Sequence, residues 1–135
     1  MEVSVPKGHG GPTSITLQPG SHACRAARRF VHYAAGQWLG PEKLDEVLSV
    51  VSELVDNAAL HAHTPMVLNL SPAEGGDHVR IELYDGSTAP PTPVAADGNH
   101  NDVTSPGLGL QIVQSMVLRW GVEVMPDGKM VWAEV

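Results

Sequence analysis

A long amphipathic helix pattern occupies the middle of the chain. Pro41 suits a first helical position, and acidic residues follow in the first turns, where the helix dipole favours negative charge. We expect the helix to end near residue 63, before Pro65. A helix with one apolar stripe must pack against another element, so this pattern requires a layered core. The stripe consists of Leu44, Val47, Val51, Leu54, Val55 and Ala58.

Strand patterns lie on both sides of two helix patterns. Residues 14–17 and 66–70 predict short strands, and residues 79–84 alternate apolar and polar side chains, which indicates a strand covered on one face. Ser21 is a candidate N-cap for a first helix that runs to about Leu39 and is stopped by Gly40.

The second half of the chain contains a long polar stretch. Residues 85–106 are rich in proline, glycine, asparagine and aspartate, which predicts a loop of lid type. Beyond it we expect a helix over 107–120, ended by Gly121, and a hairpin of residues 122–125 and 130–135 around Pro126-Asp127-Gly128. This order predicts an α+β fold, with an antiparallel or mixed sheet and helices on one face.

Length and charge limit the classes of function. The 135 residues correspond to one domain, predicted to comprise a flexible arm at 1–12 and a folded part at 13–135 with its lid at about 86–106. The formal net charge of -7 argues against direct binding of nucleic acid. With no apolar run long enough for a membrane span and the single Cys24, we expect a cytoplasmic protein with no membrane partner.

Two polar patterns carry residues that could perform chemistry. Glu53, Asn57 and His61 are spaced four apart and share one stripe of the long helix, where a carboxylate can act as a general base and an amide oxygen can ligate a hard metal ion. Asp85 follows the half-buried strand and can accept a hydrogen bond from an exocyclic amine, while Gly86 lets a planar ring approach the backbone. Alone, the first pattern also fits a solvated helix face and the second an ordinary turn.

A glycine-containing pattern opens the helix predicted after the loop. Glycines at such a helix start let phosphates reach the N-terminal amides. Alone, the pattern is common, and it matches neither a P-loop nor a dinucleotide-binding fingerprint. Its residues are Gly107, Leu108, Gly109 and Leu110.

Together and in this order, the three patterns resemble the N-box, G1 box and G2 box of the GHKL ATPase superfamily. The resemblance is carried by residues 52–58 (SELVDNA), 85–87 (DGS) and 107–113 (GLGLQIV). More narrowly, the chain is similar to the stand-alone, anti-sigma-factor serine kinase type of ATP-binding regulator found in actinobacteria. Residues 25–30 and the C-terminal stretches 120–121 and 128–132 share in this similarity, which covers about residues 13–135.

The resemblance implies a Bergerat fold, a two-layer α/β sandwich that binds ATP between the sheet, two helices and a lid. It implies that Glu53 is the catalytic base and that Asn57 ligates Mg²⁺. It further implies that Asp85 holds the adenine amino group, with Gly86 beside the base. The phosphates would be surrounded by Gly107, Leu108, Gly109 and Leu110.

Two residues depart from the family pattern. Ser87 stands where fuller G1 boxes have a second glycine, and Met130 is predicted at the position where many relatives have a threonine near the adenine. We expect these departures and the proline-rich lid to affect catalytic turnover more than nucleotide binding.

The sequence thus favours a Mg-ATP-binding regulator of the anti-sigma-factor type, a serine/threonine protein kinase that phosphorylates a partner and controls transcription. The implied partner is a sigma factor or an anti-anti-sigma-like protein, and since relatives often dimerise, a homodimer stays open. One alternative is a non-catalytic module in which ATP sets the shape of a protein-interaction surface. The other is an interaction module whose ligand site has decayed.

Overall fold

The computed structural model describes residues 3–4, 13–61, 63–73, 78–87 and 117–135. Two helices and six strands lie within these ranges. In chain order they are β1 (Val3–Ser4), β2 (Ser14–Leu17), α1 (Ala23–Ala35), α2 (Pro41–His61), β3 (Met66–Pro72), β4 (Val79–Asp85), β5 (Arg119–Met125) and β6 (Gly128–Glu134).

The strands form one sheet in the order β1-β2-β3-β4-β6-β5, and every described pair is antiparallel. β3 with β4 and β5 with β6 are hairpins, and β6 pairs with β4 across the long stretch that separates them in sequence. Of the two sheet types predicted, the described strands therefore adopt the antiparallel one.

One face of the sheet packs against both helices. Leu68 of β3 lies between Ile15 of β2 and Leu83 of β4, and Val131 of β6 lies beside Leu83. These alternating side chains share one buried cluster with α1 and α2, so the predicted α+β sandwich with helices on one face is confirmed. The helices contribute, among others, Ala27, Phe30, Val31, Val47, Val51, Leu54, Val55 and Ala58.

The opposite face of the sheet carries a network of charges. Arg80 donates to Glu82 at 2.8 Å and to Glu134 at 3.2 Å, and Arg119 donates to Glu134 at 2.5 Å. The Arg80 guanidinium also lies 4.6 Å from the centroid of the Trp132 ring, within cation–π range. The two faces therefore differ in kind, with apolar packing toward the helices and paired charges on the other side.

The first helix is shorter than predicted. It ends at Ala35 instead of Leu39, and a turn follows in which the amide groups of Trp38 and Leu39 both donate to the Ala35 carbonyl. The Trp38 indole also donates to the Ala34 carbonyl at 2.9 Å, which stabilises this turn. The helix starts after His22, which makes no side-chain cap, so the predicted Ser21 cap is wrong by one residue.

The C-terminal hairpin is longer than predicted. Arg119 and Trp120 were expected to end a helix, but they open β5, and Gly121 lies inside that strand instead of stopping a helix. A side chain at Gly121 would collide with the Trp132 indole across the hairpin, so glycine is needed for packing at this position. Residues 107–116 of the predicted helix lie outside the described residues.

The structure describes only parts of the predicted arm and of the predicted lid. Val3 and Ser4 of the predicted arm pair with Ile15 and Ser14 and so extend the sheet by a short edge strand. Residues 88–106 of the predicted lid lie outside the described residues. In the part of the chain that the structure describes, no helix is both long and apolar enough to cross a membrane.

Candidate nucleotide site

A hydrogen bond connects the residues that follow the C-terminal ends of α2 and β4. Thr64 follows α2, and its Oγ1 accepts from the Gly86 amide at 2.9 Å, directly after β4. His63 has a left-handed backbone with φ of 51°, which is typical of a residue that ends a helix. A Cβ on Gly86 would lie 3.3 Å from the Thr64 side chain, so glycine permits this close approach. The predicted Asp85-Gly86 turn is thereby placed at the end of α2.

Asp85 is a buried carboxylate on the helix-facing side of β4. Its Oδ1 accepts from the Ser87 amide at 2.8 Å and from Lys129 Nζ at 3.1 Å. Its Oδ2 also lies 3.1 Å from Lys129 Nζ, but this contact lacks hydrogen-bond geometry, and Oδ2 has no hydrogen-bond partner among the described residues. One acceptor atom of this buried carboxylate therefore forms an ion pair but no hydrogen bond among the described residues, an arrangement that is costly to leave unsatisfied.

Gly128 allows β6 to approach β4 closely enough to form this pair. A Cβ on Gly128 would lie 3.1 Å from the Asp85 carbonyl carbon, 3.2 Å from Gly86 Cα and far closer than contact distance to the Asp85 carbonyl oxygen. Any side chain there would push the two strands apart, so glycine places Lys129 directly across from Asp85.

The α2 side of the site carries Glu53 and Asn57, one helical turn apart. Burial of Glu53, with a smaller contribution from the negative charge of Asp56, raises the pKa of its carboxyl group. Asn57 is partly buried, and its Oδ1 has no hydrogen-bond partner among the described residues. Asn57 lies one turn before the end of α2, the end that Thr64 connects to Gly86.

The structure thus places three of the predicted site residues, Asn57, Asp85 and Gly86, near the connected ends of α2 and β4, whereas Glu53 lies about two turns before the end of α2. Glu53 and Asn57 belong to α2, which contacts β4, while Asp85 and Gly86 lie at the end of β4. Gly107, Leu108, Gly109 and Leu110 lie outside the described residues, as does the His61 side chain.

The strand register shows which β6 residue lies beside Asp85. Met130, at the position where many relatives have a threonine near the adenine, pairs with Tyr84 and Glu123, on the face of β6 opposite to Asp85. The residue beside Asp85 is Lys129. A signal was present, because Lys129 lies two residues before Val131 and so occupies an otherwise apolar strand face.

The available atoms fit a metal-bound nucleotide. Asn57 Oδ1 is a neutral oxygen of the kind that Mg²⁺ accepts as a ligand, and Asp85 Oδ2 is an anionic acceptor suited to an amino group. Among the described residues, no group of three or more His, Cys, Asp or Glu side chains could hold a metal ion alone. A Mg²⁺ ion here would therefore take most of its ligands from elsewhere, such as water and the phosphate oxygens of a nucleotide, as Mg²⁺ commonly does.

One solved structure shares this fold, and a second is similar over part of the chain. The structure of the RsbU and RsbW domains of Rv1364c from Mycobacterium tuberculosis matches with a TM-score of 0.63 and 18% identity, over 90% of this chain and 30% of that chain. The histidine kinase domain of the blue-light activated histidine kinase EL346 from Erythrobacter litoralis matches with a TM-score of 0.49 and 24% identity, over 70% of this chain and 44% of that chain. The chain thus spans under half the length of either structure.

The family is defined by sequence over almost the whole chain. The profile of the histidine kinase-like ATPase domain matches residues 17–135. The chain therefore belongs to the histidine kinase-like ATPase family, which confirms the GHKL superfamily inferred from the three motifs. The comparison with curated protein sequences gives no match.

Proposed function

We propose that this chain is a Mg-ATP-binding regulator that acts as an anti-sigma-factor-like serine/threonine protein kinase. The observation that carries the proposal is a pair of buried acceptor atoms, Asn57 Oδ1 and Asp85 Oδ2, near the connected ends of α2 and β4. Neither atom has a hydrogen-bond partner among the described residues, although Asp85 Oδ2 forms an ion pair with Lys129. Membership of the histidine kinase-like ATPase family supports ATP as the nucleotide.

Each polar residue has a separate role in this proposal. Asp85 Oδ2 accepts a hydrogen bond from the adenine amino group, and Gly86 leaves space for the ring. Asn57 Oδ1 ligates Mg²⁺, which when bound neutralises phosphate charge and orients the terminal phosphoryl group. Residues 107–110 are proposed to surround the phosphates.

Glu53 is proposed as the general base. Its carboxylate takes the proton from the serine or threonine hydroxyl of the partner as that oxygen attacks the terminal phosphorus and the bond to the ADP oxygen breaks. The raised pKa of Glu53 suits this role, because a stronger base accepts a proton more readily.

Calorimetry and phosphotransfer measurements test the two halves of the proposal. Wild-type protein should bind ATP in the presence of Mg²⁺, and Glu53→Gln should retain binding but lose transfer to a partner. Glu46→Gln is the matched control, because Glu46 lies on the same helix and pairs only with Lys43 at the surface among the described residues. Absence of binding at millimolar ATP, with or without Mg²⁺, would contradict the whole proposal.

A partner for such a kinase is proposed to be a sigma factor or an anti-anti-sigma-like protein. The support is indirect: the matched Mycobacterium tuberculosis structure contains an RsbU and an RsbW domain. Incubation with labelled ATP and candidate partners encoded near this protein would identify the acceptor.

A non-catalytic ATP-binding module is the second candidate. It is favoured by the engagement of the Asp85 carboxylate with Lys129 and Ser87, which fixes the base side of the site. In that case ATP raises the melting temperature by mass action, but no candidate partner becomes phosphorylated. An unchanged melting temperature at saturating Mg-ATP would instead indicate a decayed site.

A further inference from the structure

A buried ammonium group lies in the candidate site and is not explained by the roles given above. The side chains of Lys129 and Asp85 are only 4% and 1% exposed. The face of β6 that carries Lys129 is otherwise apolar, with Val131 and Ala133 in the core cluster. A lysine in such surroundings loses its hydration, which only good partners can offset.

Lys129 and Asp85 do not use all their hydrogen-bonding groups among the described residues. An ammonium group has three donors, and the described residues show one hydrogen bond from Lys129 Nζ, to Asp85 Oδ1. Asp85 Oδ2 lies 3.1 Å from Nζ and has no hydrogen-bond partner of its own in the same ranges. The site therefore presents a donor and an acceptor side by side, both shielded from solvent.

This arrangement matches one edge of a purine. Adenine carries a donor, its exocyclic amino group, next to an acceptor, the ring nitrogen N1. A ligand whose amino group donates to Asp85 Oδ2 would bring N1 near Lys129 Nζ, two of whose hydrogens make no hydrogen bond among the described residues.

We propose that Lys129 is a base-recognition residue, whose Nζ donates to adenine N1 while Asp85 Oδ2 accepts from the neighbouring amino group. This inference rests on the proposed function, and it assigns a contact with the base to Lys129, the residue before Met130. Fold stability alone does not call for the pair, because a buried ion pair contributes little more than apolar side chains of the same size.

The test compares ATP with 1-deaza-ATP, in which N1 is replaced by a carbon. Calorimetry should show that wild-type protein binds ATP about tenfold more tightly, since a hydrogen bond to a charged group contributes about 1.5–3 kcal/mol and 1.4 kcal/mol corresponds to tenfold. In Lys129→Met this preference should fall to near onefold. Lys43→Met is the control, because Lys43 pairs with Glu46 on the surface of α2, and it should keep the wild-type preference.

The outcomes separate this inference from the proposed function. The role of Lys129 would be overturned if wild-type protein bound ATP and 1-deaza-ATP with equal affinity, or if Lys129→Met kept the preference for ATP. Either result would leave ATP binding itself intact. If wild-type protein binds no ATP, both proposals fail together. Where Lys129→Met does not fold, Lys129→Gln replaces it: a shorter, neutral donor should reduce the preference for ATP, and an undiminished preference would again overturn the contact.

Discussion

Gly128 offers a direct test of how the site is assembled. A Cβ added there would stand about 1 Å inside the 3.0 Å that real Cβ atoms keep from the Asp85 carbonyl oxygen, so β6 and β4 must separate by about that distance. The neighbour is backbone, which cannot rotate away as a side chain can. Overpacking of this kind costs about 1–3 kcal/mol. We therefore expect Gly128→Ala to lower the free energy of unfolding by about that amount.

The same displacement should weaken nucleotide binding, because it moves Asp85 and the start of the Gly86 turn. Urea unfolding measures the first effect, as a fall in midpoint of about 1 M for a slope of about 1–3 kcal/mol/M. Calorimetry with Mg-ATP measures the second, at a temperature where the variant remains folded. We expect at least a tenfold loss of affinity, which corresponds to about 1.4 kcal/mol.

Two glycines provide matched controls for this substitution. A Cβ on Gly40 meets nothing within 4 Å, so Gly40→Ala should leave both stability and binding close to wild type. A Cβ on Gly121 meets the Trp132 indole on the far face of the sheet, so Gly121→Ala should lower stability without a specific loss of binding. If Gly128→Ala behaves like Gly40→Ala in both assays, the close approach of β6 to β4 does not organise the site.

Three further predictions concern the scaffold. Leu68→Ala should lower the free energy of unfolding by about 2–5 kcal/mol in urea titrations, whereas Val67→Ala, on the exposed side of β3, should change it by less than about 1 kcal/mol. Burial alone would raise the pKa of Glu82, but hydrogen bonds, chiefly from Arg80, lower it below 4.5. The unfolded chain therefore takes up the proton at a higher pH than the folded chain, and the free energy of unfolding should fall as the pH drops below 4.5. This fall should be less steep in Arg80→Met. Burial raises the pKa of the Cys24 thiol, so alkylation at pH 7 should be slower in the folded protein than in urea, and equal rates would contradict this.

The strand that carries Asp85 was predictable because its pattern is local. Val79, Ile81 and Leu83 alternate with polar residues, and a period of two allows only one face to be buried. The same alternation puts Asp85 on the helix-facing side at the end of the strand. The spacing of Glu53 and Asn57 likewise fixes their shared stripe on α2.

The Lys129 contact was not predictable in the same way. It depends on the register between β4 and β6, whose paired residues Asp85 and Lys129 are 44 positions apart in sequence. No local pattern sets that register, so the choice between Lys129 and Met130 required the paired strands. The helix predicted to continue to Trp120 failed for a related reason: pairing with β6 decides that Arg119 and Trp120 are extended, and tertiary pairing overrides local propensity.

The distribution of positive charge limits how this chain could hold a triphosphate. The sequence has eight lysines and arginines, and residues 88–116, which include the predicted lid and phosphate segment, contain none. Of the described cations, Arg25 and Arg29 line a cavity of about 350 Å³ between α1 and β2, and Arg28 donates to Ser52. The others form ion pairs with carboxylates: Lys43, Arg80, Arg119 and Lys129.

Phosphate charge near Asn57 would therefore be balanced by a divalent cation and by backbone amides. Chelation of Mg²⁺ with EDTA should lower the affinity of wild-type protein for ATP by more than tenfold in calorimetry, because bound phosphates would then lose their main counter-charge. In Asn57→Ala, affinity should already be low with Mg²⁺ and should change little when EDTA is added. A wild-type affinity that does not respond to EDTA would show that groups other than a metal ion neutralise the phosphates, and would remove the role proposed for Asn57.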